Sequence, residues 1–225
     1  MYGGSSMTLK LNGSSSGYTA IDAPAAAGSN TLVLPTTNGS AGQVLQTDGS
    51  GNLSWVSVPS ITESSWTAFP TGAYETTEIT GISANAREIT VVGVDISAAD
   101  NSQKLRLRLG GAGGYKTSGY KITSCEGGGS NGGSGFTDGF TQEYVGGASY
   151  RMTFIWDLVN VNANIWTIKG MLNAWTGSGN AENTHFFITG RVDLGATLTK
   201  LQFDASNGSS FDDGDWKLYV TTLGA

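Results

Sequence analysis

Alternation of apolar and polar residues is the dominant pattern over the C-terminal two thirds of the chain. Every second residue from Met152 to Leu158 is large and apolar, and residues 104–109 alternate without a break. A period of two predicts β-strands with one buried face, because successive side chains of a strand point to opposite sides. Strands are predicted at 87–96, 104–109, 151–158, 166–172, 185–194, 201–203 and 216–220, with weaker patterns at 76–79, 121–125 and 140–145.

These eight to ten predicted strands, with no helical period beside them, indicate an all-β fold. Each amphipathic sheet must bury its apolar face, so two packed antiparallel sheets are the simplest architecture. We therefore expect an antiparallel β-sandwich, of which the jelly roll is one variant. A domain of about 160 residues hides enough surface to be stable without disulfides or metals.

A short hairpin is predicted upstream of these strands. Strand-forming residues at 43–47 and 53–56 flank the turn Asp48-Gly-Ser-Gly-Asn52. Asp-Gly between apolar runs favours a hairpin, because Gly adopts positive φ at little cost and Asp tolerates it. Two strands alone are marginal in water, so the apolar residues of this hairpin need a second surface.

Proline usage marks a boundary along the chain. All four prolines precede residue 71, and proline suits edges and extended segments better than central strands. We expect a flexible lead-in at 1–7, a short N-terminal module at 8–60 and the sandwich at 61–225.

A fixed order of short motifs occupies residues 8–58. Leu9-Lys-Leu-Asn-Gly is followed by Ile21-Asp-Ala-Pro, then by Leu34-Pro, and then by the hairpin. This order resembles a module of tailed-bacteriophage fibre and virion appendage proteins. Near the other end, Phe211-Asp-Asp-Gly-Asp-Trp-Lys-Leu-Tyr is similar to the last strands of phage virion sandwich domains. The alternative to the first resemblance is an ordinary Gly/Ser-rich linker that ends in a hairpin.

The resemblance implies a homotrimer whose chains interlock short strands, attached to other virion proteins through the N-terminal region. It implies a structural fibre or decoration appendage, exposed on the virion, assembled in the host cytoplasm and released by lysis. Contact with host-surface glycans is a further implication. The apolar residues implied in trimer formation are Leu9, Leu11, Ile21, Leu32, Leu34, Val44, Leu45, Leu53 and Trp55.

Charge and composition restrict the remaining function classes. The net charge is −6, and the densest basic stretch, Lys104, Arg106 and Arg108, alternates with leucines as the wet face of one strand. Nucleic-acid binding needs clustered cations and is therefore not expected. No segment has the apolar length of a signal peptide or a membrane span, and the single cysteine, Cys125, excludes an intrachain disulfide.

The sequence contains few candidate catalytic residues. We expect that the protein is not an enzyme and that it binds neither a cofactor nor a metal. The only histidine, His185, is predicted to point away from the core, and no nucleophile elbow accompanies it. The alternative class is a carbohydrate-binding module or a glycan-cleaving enzyme, which needs two suitably spaced carboxylates. Its candidates are Asp212, Asp213 and Asp215, with Asp204 and Glu182 nearby, although residues 212–215 are interpreted first as the tip of a last hairpin.

Aromatic residues supply the candidate binding positions. Trp175 is predicted on the outer side of its strand, before Thr176-Gly-Ser-Gly-Asn, where a ring and amide donors suit a sugar. Gly-rich loops at 110–114 and 127–135 predict a recognition region that includes Tyr115, Tyr120, Phe136 and Tyr144. Flexible connection or trimer packing is the competing interpretation of these loops. Trp156, Trp166 and Trp216 are predicted in the core.

Overall fold

The computed structural model describes residues 8–26, 28–69, 76–98, 104–126, 136–142, 150–176, 184–205 and 211–222. The chain forms two compact units, Met1–Ser57 and Val58–Ala225. Every regular element among the described residues is a β-strand. In this part of the chain no helix is long and apolar enough to cross a membrane.

In the first unit, the described residues form two antiparallel hairpins. Its strands are β1 (Leu9–Asn12), β2 (Tyr18–Ile21), β3 (Gln43–Thr47) and β4 (Leu53–Ser57). The β3–β4 hairpin confirms the prediction for residues 43–56. Its turn is held by the Asp48 carboxylate, which accepts hydrogen bonds from the backbone N–H groups of Ser50 (2.8 Å) and Asn52 (3.1 Å).

The described residues of the second unit form thirteen strands. They are β5 (Ser60–Glu63), β6 (Thr67–Ala68), β7 (Thr77–Ile79), β8 (Ala86–Ala98), β9 (Leu105–Gly111), β10 (Gly114–Tyr115), β11 (Lys121–Glu126), β12 (Phe140–Gln142), β13 (Tyr150–Asn162), β14 (Ile165–Thr176), β15 (Thr184–Asp193), β16 (Lys200–Ala205) and β17 (Phe211–Thr222). The larger sheet has the order β11-β15-β14-β13-β8-β17-β5, with β6 also pairing with β17. The smaller sheet has the order β10-β9-β16-β7, with β12 also pairing with β9.

The apolar faces of the two sheets form a single core. Phe154 and Trp156 of the larger sheet lie against Phe203 of the smaller sheet, with ring centroids 5.7 Å and 6.0 Å apart. Trp156, Trp166 and Trp216 are all buried, as their alternation predicts. The all-β, antiparallel sandwich expected from the sequence is confirmed.

The predicted hairpin tip at 212–215 is wrong, because these residues lie inside β17. The pairing of β17 with β8 shifts between Phe211 and Asp213 and again between Asp213 and Asp215. Such shifts are β-bulges, which let a turn-like acidic sequence continue as a strand. Gly214 makes this possible with a φ of 109°, and a Cβ there would lie 2.5 Å from the Ile96 Cα.

Candidate assembly and binding surfaces

The β1–β2 hairpin carries an uncovered apolar face. Leu9 and Leu11 are each 57% exposed, and Ile21, which pairs with Leu9, is 65% exposed. Among the described strands, β1 and β2 pair only with each other. A two-stranded hairpin without a covering layer is marginally stable in water, so this face is a candidate contact surface.

The β3–β4 hairpin is apolar on both of its faces. Val44 and Leu45 are adjacent, so they point to opposite sides, and both are nearly half exposed. Leu53 and Trp55 are partly buried, and the Trp55 indole donates a hydrogen bond to the Thr37 carbonyl (2.8 Å). The preceding Leu32 and Leu34 are also exposed. Most of the residues implied in trimer formation therefore lie on the surface of the single chain.

Trp175 lies in β14 on the outer face of the larger sheet. Its strand neighbour Ala174 is buried, so the indole points away from the core, as predicted. It pairs with Arg151 of β13, whose guanidinium donates to the Asp213 carboxylate (2.6 Å). The ring is half-buried beside this ion pair. Residues 177–180, the predicted flanking loop, lie outside the described residues.

His185 also points outward, as predicted from the alternation. Its Nδ1 is 2.7 Å from the Asn173 amide oxygen, across the β14–β15 pairing. The imidazole therefore contacts an amide rather than a hydroxyl or thiol nucleophile. Among the described residues, no group of three or more His, Cys, Asp or Glu side chains is placed to hold a metal ion.

The aromatic residues predicted to form one recognition region are dispersed. The Tyr115 ring contacts the Lys200 ammonium near Gly110 at one end of β9, whereas the Phe136 ring contacts Lys104 beside its other end. Burial, with the Glu78 carboxylate adding to it, raises the pKa of Tyr115 to about 12. A hollow of about 210 Å³ lies next to Tyr115. Tyr144 lies outside the described residues.

Tyr120 is a core residue rather than a surface aromatic. It is 2% exposed, its ring packs edge-on against Phe140, and its hydroxyl accepts a hydrogen bond from the Leu109 N–H (2.8 Å). Burial raises its pKa to about 12. The ring is inaccessible to a large ligand, and neither its position in a Gly-rich region nor its residue type indicates this.

Two of the candidate catalytic carboxylates, Asp212 and Asp213, are engaged by neighbouring side chains. Asp212 accepts a hydrogen bond from the Ser97 hydroxyl, and Asp213 is paired with Arg151. The hydrogen bond from the Gly214 N–H, followed by the contact with Arg151, holds the pKa of Asp213 below its ordinary value. A carboxyl with a lowered pKa is ionised at neutral pH and cannot serve as a general acid there. Glu182 lies outside the described residues.

Arg106 and Arg108 form an ionic cluster that the sequence did not predict. Their side chains are only 12% and 18% exposed. The prediction that this side of the strand faces solvent is therefore wrong. Both bind the Asp204 carboxylate, at 2.6 Å and 2.7 Å, and both also bind Asp138. Two cations and two carboxylates satisfy one another, which is what partly buried charges require. Only the pairing of β9 with β16 brings Asp204 to these arginines.

A cleft of about 600 Å³ opens between β5 and β17 of the larger sheet and β7 of the smaller one. Its apolar lining includes Ile79, Ile82 and Leu218, and hydroxyl groups of β5 contribute to its rim. Glu63 at this rim is paired with Lys217 at 3.1 Å. The cleft is a polar-edged groove, and the sequence contains no pattern that marks it.

No protein-family model matches the chain, and no curated protein sequence matches it. One solved structure that is similar to the chain is a protein of unknown function from Shewanella oneidensis MR-1. The two are 11% identical with a TM-score of 0.28, over 81% of this chain and 77% of that one. A likeness this low supports no inference about function.

Proposed function

We propose that this chain is a structural protein of a bacteriophage virion, a homotrimeric fibre or decoration appendage that is exposed on the particle. The observation that carries the proposal is the uncovered apolar surface of the first unit. Leu9, Leu11, Ile21, Leu32 and Leu34 are between 57% and 68% exposed in one chain. The order of motifs over residues 8–58, which resembles phage fibre modules, supports the same conclusion.

The first unit lacks an interior of its own. Its two hairpins bury few of their apolar side chains, whereas the second unit has a complete core. Burying apolar surface contributes about 25 cal/mol of stability per Å². Three copies that bury these side chains in one shared interior therefore gain stability that a single copy cannot reach. An assembly of like chains supplies that interior without another gene product.

Host contact is assigned to the larger sheet around Trp175. An aromatic ring at the surface, with the Asn173 amide and the His185 imidazole on the same face, offers stacking and hydrogen bonds to a sugar. The alternative, a glycan-cleaving enzyme that uses Asp212, Asp213 and Asp215, has less support. The pairing of Asp213 with Arg151 suits a structural role better than acid–base chemistry.

Immunogold labelling of intact, purified particles tests the virion assignment. Antibodies against the chain should label the outside of the particles of the phage that encodes it. Chain that is present in the lysate but missing from the purified particles would contradict the assignment. Labelling only after the particles are disrupted would contradict the exposed location.

A further inference from the structure

One wall of the cleft between β5, β17 and β7, which we call the β5–β7 cleft, carries hydroxyl groups on the inner side of the larger sheet. Thr62 of β5 pairs with Val220, so its side chain lies on the same side as Val220 and the buried Leu218. Ser60 and Ser64, two residues to either side of Thr62, also line the cleft. The buried inner positions of β17 are apolar, whereas β5 presents a row of hydroxyls to the same space.

The cleft lies where the two sheets end. β5 is the last strand in the order of the larger sheet and β7 is the last in that of the smaller one, and all four residues of β5 are exposed. The floor of the cleft is formed by Trp216, Leu218 and Val220, and the opposite wall includes Ile79 and Ile82. The volume of about 600 Å³ falls within the range of sites that hold small organic molecules.

The hydroxyl groups of this wall keep hydrogen-bonding capacity for a ligand. The Ser60 and Thr222 hydroxyls are 3.0 Å apart, and the Thr62 hydroxyl lies 3.5 Å from the Val220 carbonyl oxygen. A hydroxyl has one donor and two acceptor sites, so these contacts use only part of what each group offers. A wholly apolar ligand would take the hydroxyls out of water without replacing their hydrogen bonds, which costs free energy. The wall therefore favours a ligand that is itself rich in hydroxyls.

The charges at the cleft disfavour an ionic ligand. Among the residues that line it, all of them in the described part of the chain, the charged ones are Glu63 and Glu78. Two carboxylates and no cation disfavour an anion. Glu63 is paired with Lys217 at 3.1 Å, and the Glu78 carboxylate interacts with the Tyr115 hydroxyl. Both carboxylates therefore already have a partner, so a cationic ligand would have to compete for them.

We propose that the β5–β7 cleft binds a neutral saccharide through one pyranose ring. A pyranose has an apolar face of C–H groups and an edge of hydroxyls. Its apolar face lies on the floor formed by Leu218 and Val220, which the edge of the Trp216 indole extends. Its hydroxyl edge meets the hydroxyls of Ser60 and Thr62. An apolar floor beside a few polar groups that fix orientation is the usual composition of a small-molecule site.

This site is distinct from the host-contact surface around Trp175. Trp175 lies on the outer face of β14, whereas the cleft opens on the inner side of β17 and β5, which are the third and fourth strands from β14 in the sheet. The inference requires neither the trimer nor the virion assignment, because every lining residue belongs to the second unit of one chain. A failure of either proposal therefore leaves the other standing.

Saturation-transfer NMR on the full-length chain tests the site, with the methyl glycosides of glucose, galactose, mannose and N-acetylglucosamine as probes. All samples carry Trp175→Ala, which removes the ring of the host-contact surface. We expect saturable binding of at least one glycoside. Ser60→Ala combined with Thr62→Val removes two hydroxyls and should weaken this binding about tenfold. Thr62→Trp, which fills the cleft, should abolish it.

Thr221→Val is the matched control, because it removes a hydroxyl from the opposite side of the neighbouring strand. Its affinity for the glycoside should equal that of the parent. Methyl glucuronide, which differs from methyl glucoside by a carboxylate at C6, tests the argument from charge and should bind more weakly. The melting temperatures of all variants should match the parent, since the substituted residues of β5 are exposed.

Three results would overturn the proposal. The first is that none of the glycosides binds in a saturable way. The second is that the double variant keeps the affinity of the parent, which places the sugar elsewhere on the chain even if Thr62→Trp does not fold. The third is that methyl glucuronide binds as tightly as methyl glucoside, which contradicts a neutral ligand. Weaker binding in the double variant, with unchanged binding in Thr221→Val, supports the site.

Discussion

Trp175 is half-buried on the outer face of the larger sheet, where it can be removed without opening the core. Stacking of a sugar on one exposed ring contributes about 1 kcal/mol, and three copies raise the avidity for a multivalent surface. We predict that Trp175→Ala leaves the trimer and its melting temperature unchanged and weakens adsorption of the phage to host cells. Adsorption assays and thermal unfolding check this result.

Trp166→Ala is the matched control for that experiment, because Trp166 belongs to the same strand and is 1% exposed. Its loss should destabilise the chain by about 3–5 kcal/mol, as is usual for a large core residue. Lower stability of Trp175→Ala with normal adsorption would identify Trp175 as a structural residue instead.

Tyr120 allows a test that depends on pH. Its folded-state pKa is about 12, above the ordinary value of 10.0, because the phenol is buried. The neutral phenol's contribution to stability is therefore complete below pH 10 and is lost as the pH rises from 10 to about 12. We predict that unfolding experiments across this range show a steeper loss of stability for the wild type than for Tyr120→Phe. Parallel curves of stability against pH for the two proteins would show that Tyr120 ionises at its ordinary pKa and is exposed.

The cluster of Arg106, Arg108, Asp204 and Asp138 should be sensitive to the loss of one partner. Asp204→Ala leaves two poorly exposed guanidinium groups with only Asp138 between them, which should cost about 3 kcal/mol in the free energy of unfolding. Lys169→Ala is the control, because it removes an exposed 3.9 Å ion pair worth less than about 1 kcal/mol. If denaturant titrations showed equal losses in the free energy of unfolding for Asp204→Ala and Lys169→Ala, the cluster would be solvated.

At the scale of the elements, the bulged start of β17 depends on Gly214. Gly214→Ala combines an unfavourable φ of 109° with a clash against the Ile96 backbone, so it should destabilise the chain by about 1–3 kcal/mol or more. Gly113→Ala is the control, because a Cβ there meets nothing within 4 Å. Its effect should stay within about 0.5 kcal/mol. A tolerated Gly214→Ala would show that the bulges can rearrange.

Alternation along the chain predicted the long strands of the sandwich because both sheets bury one face. For β13, β14 and β15 it also predicted which side chains lie inside, including Trp156 and Trp166. It failed at 212–215, where Asp-Asp-Gly-Asp has the composition of a turn but pairs with β8 through bulges. Local composition does not carry the information that β8 is available as a partner.

The predictions for the candidate site residues were correct less often than those for the strands. The outward direction of Trp175 follows from the period of two, whereas the burial of Tyr120 depends on its packing against Phe140 of another strand, β12. Alternation correctly predicted that Arg106 and Arg108 point away from the buried leucines, but the predicted exposure of the two arginines is wrong. Their burial depends on Asp204, 98 residues away from Arg106, and no local pattern reveals that contact.

For the whole molecule, the two units differ in what they bury. The second unit has a core drawn from both sheets, and the first exposes most of its large apolar residues. This difference predicts that the first unit drives assembly and that the second folds with or without it. Deletion of residues 1–58 should accordingly give a folded species that is smaller than the full-length assembly.

The proposed trimer is tested by the molar mass of the purified full-length chain, measured by light scattering at micromolar concentration. One chain has a mass of 23.3 kDa, so we expect three times that value, about 70 kDa. The same measurement on the chain without residues 1–58 should give a monomer. A full-length chain that scatters as a stable monomer of about 23 kDa would show that the protein is not a trimer.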